Sequence, residues 1–157
     1  MKTAKLLTSL LGVAPSVVMA STLNLAIFKS PNCGCCVKWI QQFPESFNSQ
    51  SFHQYSMSSV KNELGVPHDA RSCHTAATKD GIFFEGHVPT KLMKEYVNGK
   101  KSDSGIGLAV PGMPIGSPGM EVGERFEPYV VYEILSNGEK EVYETVKSKS
   151  QQQSLML

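Results

Sequence analysis

The sequence has little excess charge of either sign, and beyond its first twenty residues it has no long apolar run. Its 15 basic and 14 acidic side chains give a net charge of +1, and 18% of its 157 residues are charged. Nucleic-acid-binding proteins carry a pronounced basic patch, so we expect no nucleic-acid partner. A membrane-spanning helix needs about 20 consecutive apolar residues, so we expect no membrane span in the mature protein.

Two cofactor motifs are also missing. The sequence contains neither the Gly-x-Gly-x-x-Gly turn that binds dinucleotides nor the Cys-x-x-Cys-His motif that attaches haem. Any electrons that the protein transfers must therefore be supplied from elsewhere.

The first 20 residues have the pattern of a secretory signal peptide. Lys2 and Lys5 precede an uncharged apolar stretch over residues 6–19. We predict cleavage after Ala20 and, in a Gram-negative source, a mature protein in the periplasm. Removing the two lysines leaves 13 basic against 14 acidic side chains, a net charge of about −1. Export also places the cysteines in an oxidising compartment, which favours disulfides.

The cysteines are concentrated at one point of the chain. A strand-like run over 23–29 leads into Cys33, Cys35 and Cys36, and a helix-like run over 37–43 follows them. The backbone N–H groups and the dipole at a helix N-terminus stabilise a thiolate, which is both a nucleophile and a ligand for soft metals. The fourth cysteine, Cys73, lies at the end of a later loop, just before a predicted strand.

The order of predicted elements is strand, helix, strand, helix, strand, strand, helix, with the second strand over 52–57 and the third helix over 90–97. This order predicts an α/β fold of the thioredoxin-like type, in a single domain over 21–146. Residues 104–146 form a C-terminal extension. It begins with a Gly/Pro/Met-rich segment, 105–123, which we predict to be an irregular loop, and ends in a β-hairpin over 128–135 and 140–146. Residues 147–157 are polar and predict a disordered tail.

The four cysteines allow several interpretations. Clustered thiolates select Cu(I) and can bridge several ions, so metal binding is the first. Two structural disulfides are the second, although the adjacent Cys35 and Cys36 would pair awkwardly. The third is a thiol-disulfide pair of Cys33 and Cys36, which have the Cys-x-x-Cys spacing, and the fourth is an iron-sulfur cluster.

Two histidines and two methionines are candidate partners of these sulfurs. His74 adjoins Cys73, and His87 ends a predicted strand beside a glycine and a proline. Each could bind copper through a neutral imidazole or tune the sulfurs from outside, or could be an ordinary histidine at a strand end. Met113 and Met120 offer thioethers from the long loop, and their alternative role is to fill the core.

Four stretches of the chain stand out: Lys-Ser-Pro-Asn-Cys-Gly-Cys-Cys-Val-Lys-Trp over 29–39, Ser-Cys-His-Thr-Ala over 72–76, Glu-Gly-His-Val-Pro over 85–89, and Leu-Ala-Val-Pro-Gly-Met-Pro-Ile-Gly-Ser-Pro-Gly-Met-Glu over 108–121. Together they resemble the CopG family of bacterial copper-resistance proteins, which is marked by a Cys-x-Cys-Cys motif. The resemblance runs from about residue 25 to residue 146, nearly the whole mature chain.

This resemblance implies a thioredoxin-like domain with a C-terminal extension, copper bound at the cysteine motif, and interconversion of Cu(I) and Cu(II) during copper detoxification. By motif match the sulfur ligands would be Cys33, Cys35, Cys36 and Cys73, and the first three would also be catalytic. The extension matches at Met113 and Met120. By analogy with the family, a copper export system would be the partner, and we expect a monomer.

Overall fold

The computed structural model describes residues 22–156, so the predicted signal peptide over 1–20 lies outside the described part of the chain. The strands are β1 Leu23–Lys29, β2 Phe47–His53, β3 His74–Ala77, β4 Phe83–Glu85, β5 Gly105–Ala109, β6 Tyr129–Leu135 and β7 Lys140–Val146. The α-helices are α1 Gly34–Ile40, α2 Ser58–Glu63, α3 Thr90–Glu95 and α4 Lys149–Ser154. A short 3-10 helix, His68–Ala70, precedes β3, and a π-type turn, Tyr96–Lys100, follows α3.

All seven strands form one mixed sheet in the order β2-β1-β3-β4-β5-β6-β7. Strand β1 runs parallel to β2 and antiparallel to β3, and β4 is antiparallel to β3 but parallel to β5. The β6–β7 hairpin then completes the sheet with antiparallel pairings. This arrangement confirms the predicted α/β class. No helix within residues 22–156 is long and apolar enough to cross a membrane.

The first strand shows why these residues form a sheet with a core on one side. Leu23, Leu25 and Ile27 alternate with more exposed neighbours, and their side chains are buried. Such alternation places every second side chain on one face of a strand. Trp39 from α1 is fully buried in the same hydrophobic cluster. The first helix, whose N-cap is Cys33 and which contains Cys35 and Cys36, is therefore fixed against the sheet.

The second strand begins earlier in the sequence than its pattern predicts. Strand β2 occupies Phe47–His53, whereas the pattern favoured 52–57, and of its seven residues only Phe47 is buried. An edge strand with polar side chains on both faces has no hydrophobic period to reveal it. Its position comes instead from its parallel register with β1, in which Leu23 pairs with Phe47.

The prediction of an irregular segment over 105–123 was wrong for its first five residues, which form β5. The glycine content hides a strand that lies between β4 and β6. A Cβ atom added to Gly107 would lie 2.5 Å from the carbonyl oxygen of Phe83, so glycine is required there by the close approach of the neighbouring strand. The hairpin prediction is confirmed by β6 and β7.

The prediction of a disordered tail over 147–157 was wrong for residues 149–154, which form α4. The Ser148 side chain caps this helix by accepting a hydrogen bond from the Gln151 backbone N–H at 3.2 Å. Gln152 is buried and accepts a hydrogen bond from the Tyr129 hydroxyl. The Leu155 carbonyl oxygen accepts one from the Lys91 N–H at 3.0 Å. Polar contacts with the rest of the protein, which composition does not reveal, hold this helix in place.

Candidate metal centre

Two segments that are distant in sequence meet at the end of β1. We call residues 33–36 the cysteine turn and the set Cys73, His74 and His87 the imidazole arm. The cysteine turn follows β1 after residues 30–32 and contains the N-cap of α1, Cys33. Because β3 pairs antiparallel with β1, with Lys29 opposite His74, the start of β3 lies beside the turn. His87 follows β4, the next strand of the sheet.

The four sulfur atoms form one cluster. Cys33 and Cys36 are joined by a disulfide, while Cys35 and Cys73 are free thiols. The Sγ of Cys35 lies 3.5 Å from that of Cys33 and 3.8 Å from that of Cys73, and the Cys36 and Cys73 sulfurs are 3.6 Å apart. Two thiolates bound about 2.3 Å from one tetrahedral ion are about 3.8 Å apart, so this spacing suits a shared metal.

The disulfide separates the interpretations that the sequence left open. Its pairing is the Cys-x-x-Cys pairing, and it joins the N-cap residue of α1 to a residue in the first turn of the same helix. The two free thiols mean that the structure does not contain the two disulfides of the purely structural interpretation. Reduction of the Cys33–Cys36 bond would make all four sulfurs available as thiolates.

His87 is oriented as metal-binding histidines usually are. Its Nδ1 lies 2.8 Å from the Pro118 carbonyl oxygen, which can only accept a hydrogen bond, so Nδ1 carries the proton. In the neutral ring Nε2 then keeps a free lone pair, and this atom lies 3.3 Å from the Cys73 sulfur. A backbone carbonyl that orients the far side of the ring is a common support for a ligating imidazole.

His74 is fully buried beside Cys73 and in edge contact with the His87 ring. Its Nδ1 lies 3.3 Å from the Cys73 sulfur, and its Nε2 has no hydrogen-bond partner among residues 22–156. The ring packs against Trp39, with 4.3 Å between the ring centres. Burial, followed by the neighbouring His87 and Lys61, holds the pKa of His74 well below its ordinary value. Burial likewise lowers the pKa of His87. Both rings are therefore neutral at neutral pH and able to bind a metal.

Cys73 is the sulfur common to both parts of the site. The candidate donor atoms form two groups, in each of which all atoms lie within 4.8 Å of one another: the four cysteines, and Cys73 with His74 and His87. Burial, reinforced by the nearby Cys35, raises the pKa of the Cys73 thiol to about 12. Without a metal Cys73 therefore stays protonated, and a metal ion would displace that proton on binding.

Residues 110–123, the part of the Gly/Pro/Met-rich segment that follows β5, lie over the cysteine turn. We call them the covering loop. Gly119 is buried at φ +84°, and a Cβ atom there would lie 2.8 Å from the Cys35 carbonyl oxygen and 2.7 Å from the Trp39 nitrogen. The loop also supplies the carbonyl that orients His87. Met120 is half-buried and Met113 is 52% exposed, and their roles as copper ligands stay predictions.

Sequence reasoning missed a buried polar network beneath the imidazole arm. The Lys61 ammonium forms a buried ion pair with Glu85 and donates a hydrogen bond to the Thr75 hydroxyl at 2.9 Å. The Glu85 carboxylate accepts the Ser72 backbone N–H at 2.6 Å and the Thr75 hydroxyl at 2.6 Å. These contacts fix the chain on both sides of Cys73. The sign of this network in the sequence is Glu85, a carboxylate at the end of an otherwise apolar strand.

Fold and site together define an α/β protein whose clustered thiols and neutral imidazoles can hold soft or borderline metal ions. Two solved structures are similar to it. "Copper resistance protein copG- Form 2" is 38% identical, with a TM-score of 0.72, and the match covers 81% of this chain and 100% of that chain. "Copper resistance protein copG- Form 1" is also 38% identical, with a TM-score of 0.73 and coverage of 80% and 98%.

The chain belongs to the CopG family of copper-resistance proteins. A family profile described as "Protein of unknown function, DUF411" matches residues 70–120, which include the imidazole arm and most of the covering loop. No curated protein matches the chain.

Proposed function

We propose that this protein is a periplasmic copper-binding protein of copper resistance, which holds copper on Cys33, Cys35, Cys36 and Cys73 and interconverts Cu(I) and Cu(II). The observation that carries the proposal is the pair of donor groups that share Cys73. Clustered thiolates favour Cu(I), whereas imidazoles also accept Cu(II), so the two groups together suit a site that visits both oxidation states.

The proposal includes several copper ions bridged by thiolates. Four sulfurs and two imidazoles are more donors than one tetrahedral ion can use, and thiolates can bridge metals. The half-buried position of Met120 beside the buried Gly119 of the covering loop supports a thioether role for it.

The sheet formed by the first four strands supports a thioredoxin-like assignment, because the order β2-β1-β3-β4, with β3 antiparallel to β1, is that of a thioredoxin-like sheet. A copper export system as partner and a monomeric state are part of the same proposal.

Metal analysis of the mature protein from copper-supplemented cells tests copper binding. We expect more than one copper ion per chain, with thiols becoming titratable after a Cu(I) chelator removes the metal. Cys35→Ser should lower the copper stoichiometry, while His53→Gln, at an exposed position on β2, should not change it. Wild-type protein that binds no copper after its disulfide has been reduced would contradict the proposal.

Turnover separates an oxidoreductase from a copper carrier that uses the same ligands. Repeated consumption of a reductant by sub-stoichiometric protein in the presence of Cu(II) is expected of the oxidoreductase. A single stoichiometric oxidation of bound copper, without further cycling, would favour the carrier.

The Cys33–Cys36 disulfide favours one second candidate, a thiol-disulfide oxidoreductase acting on proteins. Metal-free, reduced protein should then reduce insulin disulfides, and copper should inhibit the reaction. Absence of this activity in the metal-free protein would remove the candidate.

A further inference from the structure

The disulfide in the cysteine turn lies directly against the two free thiols. The Cys33 sulfur is 3.5 Å from that of Cys35, and the Cys36 sulfur is 3.6 Å from that of Cys73. A pair of sulfurs that can be either a dithiol or a disulfide stores two electrons. Within residues 22–156 this pair is the one disulfide, and its sulfurs are in van der Waals contact with those of the other two candidate ligands, Cys35 and Cys73.

We propose that Cys33 and Cys36 are the two-electron store with which this protein reduces Cu(II) to Cu(I). The proposal rests on the proposed copper-binding function and names the source of its electrons. In the reduced protein two Cu(II) ions each take one electron from the pair. The two S–H bonds of Cys33 and Cys36 break, one S–S bond forms, two protons leave to solvent, and two Cu(I) ions result.

The remaining donors stay available to hold copper after this step. Cys35 and Cys73 are free thiols while the disulfide is formed, and the Cys73 sulfur lies 3.3 Å from both Nδ1 of His74 and Nε2 of His87. Imidazole nitrogens accept Cu(II) and thiolates retain Cu(I), so the imidazole arm can bind the oxidised ion and keep the reduced one. Cys33 and Cys36 thereby supply the electrons, while Cys35 and the imidazole arm hold the metal.

The local geometry assigns the store to Cys33 and Cys36 rather than to another pair. Both belong to the start of α1, where the Cys36 N–H donates to the Cys33 sulfur at 3.3 Å, and their Cα atoms are 5.3 Å apart, within the usual range for a disulfide. The Cys73 sulfur instead lies 3.3 Å from a ring nitrogen of each imidazole. The pair can therefore open and close within one helical turn, without moving the imidazole arm.

A dithiol reductant would recharge the store. Cys36 is fully buried, whereas Cys33 is half-buried, so an incoming thiolate can reach the Cys33 sulfur and displace Cys36 as the leaving thiolate. A second thiol of the reductant then resolves the mixed disulfide. The reductant becomes a disulfide, and both cysteines return to thiols. The electrons for copper reduction thus come from an external dithiol, a small molecule or a protein.

An anaerobic titration of fully reduced, metal-free mature protein with copper(II) sulfate tests the inference. The Cu(II) electron paramagnetic resonance signal, the Cu(I) yield with a colorimetric chelator, and the thiol count are followed together. We expect about two Cu(I) per chain and a fall from four thiols to two, with peptide mapping placing the new disulfide at Cys33–Cys36.

The double variant Cys33→Ser with Cys36→Ser keeps the imidazole arm and Cys35 but lacks the store and two of the four proposed sulfur ligands. We expect its rate of Cu(I) formation to fall at least about tenfold and its Cu(II) signal to persist. His53→Gln, a change at an exposed position on β2, is the control and should behave like the wild type.

The outcomes distinguish the inference from the proposed function. Copper retained as Cu(II) with all four thiols intact would overturn the inference and leave copper binding supported. A new disulfide mapped to Cys35 and Cys73 would also overturn it. Two thiols lost at Cys33 and Cys36, with two Cu(I) formed but none retained by the protein, would support the electron store and contradict the copper-binding proposal.

Discussion

The cysteine turn and the imidazole arm build one site by different physical means. The turn is four consecutive residues, with Cys33 and Cys35 half-buried and Gly34 exposed, and its geometry comes from the first turn of α1. The imidazole arm combines residues from two neighbouring strands: Cys73 precedes β3, His74 is the first residue of β3, and His87 follows β4. Its two histidines are completely buried, and it is fixed by a buried ion pair and by the covering loop.

This difference suggests that the two parts respond differently to change. The cysteine turn can exchange a disulfide for two thiols within a few bonds. The imidazole arm cannot move without disturbing buried hydrogen bonds, so it is suited to holding a metal ion in place. Substitutions that affect only one of the two parts can therefore test whether the site is divided in this way.

The largest effect is expected from Glu85→Gln, which damages the support of the imidazole arm. The change leaves the buried Lys61 ammonium without its counter-charge, and breaking a buried ion pair in this way costs about 3 to 5 kcal/mol of unfolding free energy. Denaturant unfolding of the metal-free protein measures the loss.

The double variant Lys61→Met with Glu85→Gln is the control for this change, since it removes both charges. It should recover much of the stability lost by Glu85→Gln alone. Equal stability of the single and double variants would mean that the ion pair is not what the carboxylate contributes. Copper affinity measured in both variants then reports whether the network also positions Cys73.

Cys73→Ser should have the next largest effect because it removes the sulfur shared by both donor groups. Loss of a ligating thiolate should cost more than the roughly 10- to 100-fold that loss of a supporting residue costs, so we expect copper affinity to fall by about 100-fold or more. Competition with a chelator of known affinity measures it. Cys35→Ser removes a sulfur of one group only and should have a smaller effect. Equal losses would contradict the central position of Cys73.

The sequence revealed the cysteine turn more completely than the imidazole arm, for a physical reason. The turn depends on neighbouring residues and on β1, whose predicted bounds of 23–29 are confirmed. The convergence of Cys73 with His87 depends on the pairing of β3 with β1 and β4, and that register is set by tertiary packing. Sequence could name these residues as candidates, but their distances follow only from the sheet.

The features that sequence missed are those with no local pattern. The pairing of Lys61 with Glu85 joins a helix to a strand 24 residues later. Strand β2 is polar on both faces, so it has no hydrophobic periodicity from which its position could be predicted. Helix α4 is held by contacts to residues far away in the sequence, so its polar composition wrongly predicts disorder. In β5 the glycine at position 107 allows close packing against the neighbouring strand, whereas the sequence alone favours a loop at a glycine-rich segment.

Gly119→Ala should have an intermediate effect, because it tests the covering loop that connects the two parts. The residue has φ +84°, and an added Cβ would meet backbone atoms of α1 at 2.7 and 2.8 Å. We expect a loss of about 2 kcal/mol of unfolding free energy and easier access of chelators to the site. Denaturant unfolding and the rate of copper removal by a chelator measure the two effects.

Gly123→Ala is the matched control in the same loop. Gly123 has φ +54°, but nothing lies within 4 Å of its added Cβ, so the variant carries only the cost of the backbone conformation, about 1 kcal/mol. The difference between the two variants isolates the contact with α1. If both variants release copper equally fast, the contact of the loop with α1 does not protect the site.

The smallest effect is expected from Met120→Leu, which removes a thioether while nearly conserving volume and apolarity. If the half-buried Met120 donates to Cu(I) from the covering loop, copper affinity should fall by about threefold, since a neutral thioether binds Cu(I) more weakly than a thiolate. Met113→Leu, at a position that is 52% exposed, provides the comparison within the same loop. A chelator competition that shows no change for Met120→Leu would assign this methionine to packing, and the imidazole arm and the cysteine turn would then supply the copper ligands without the loop.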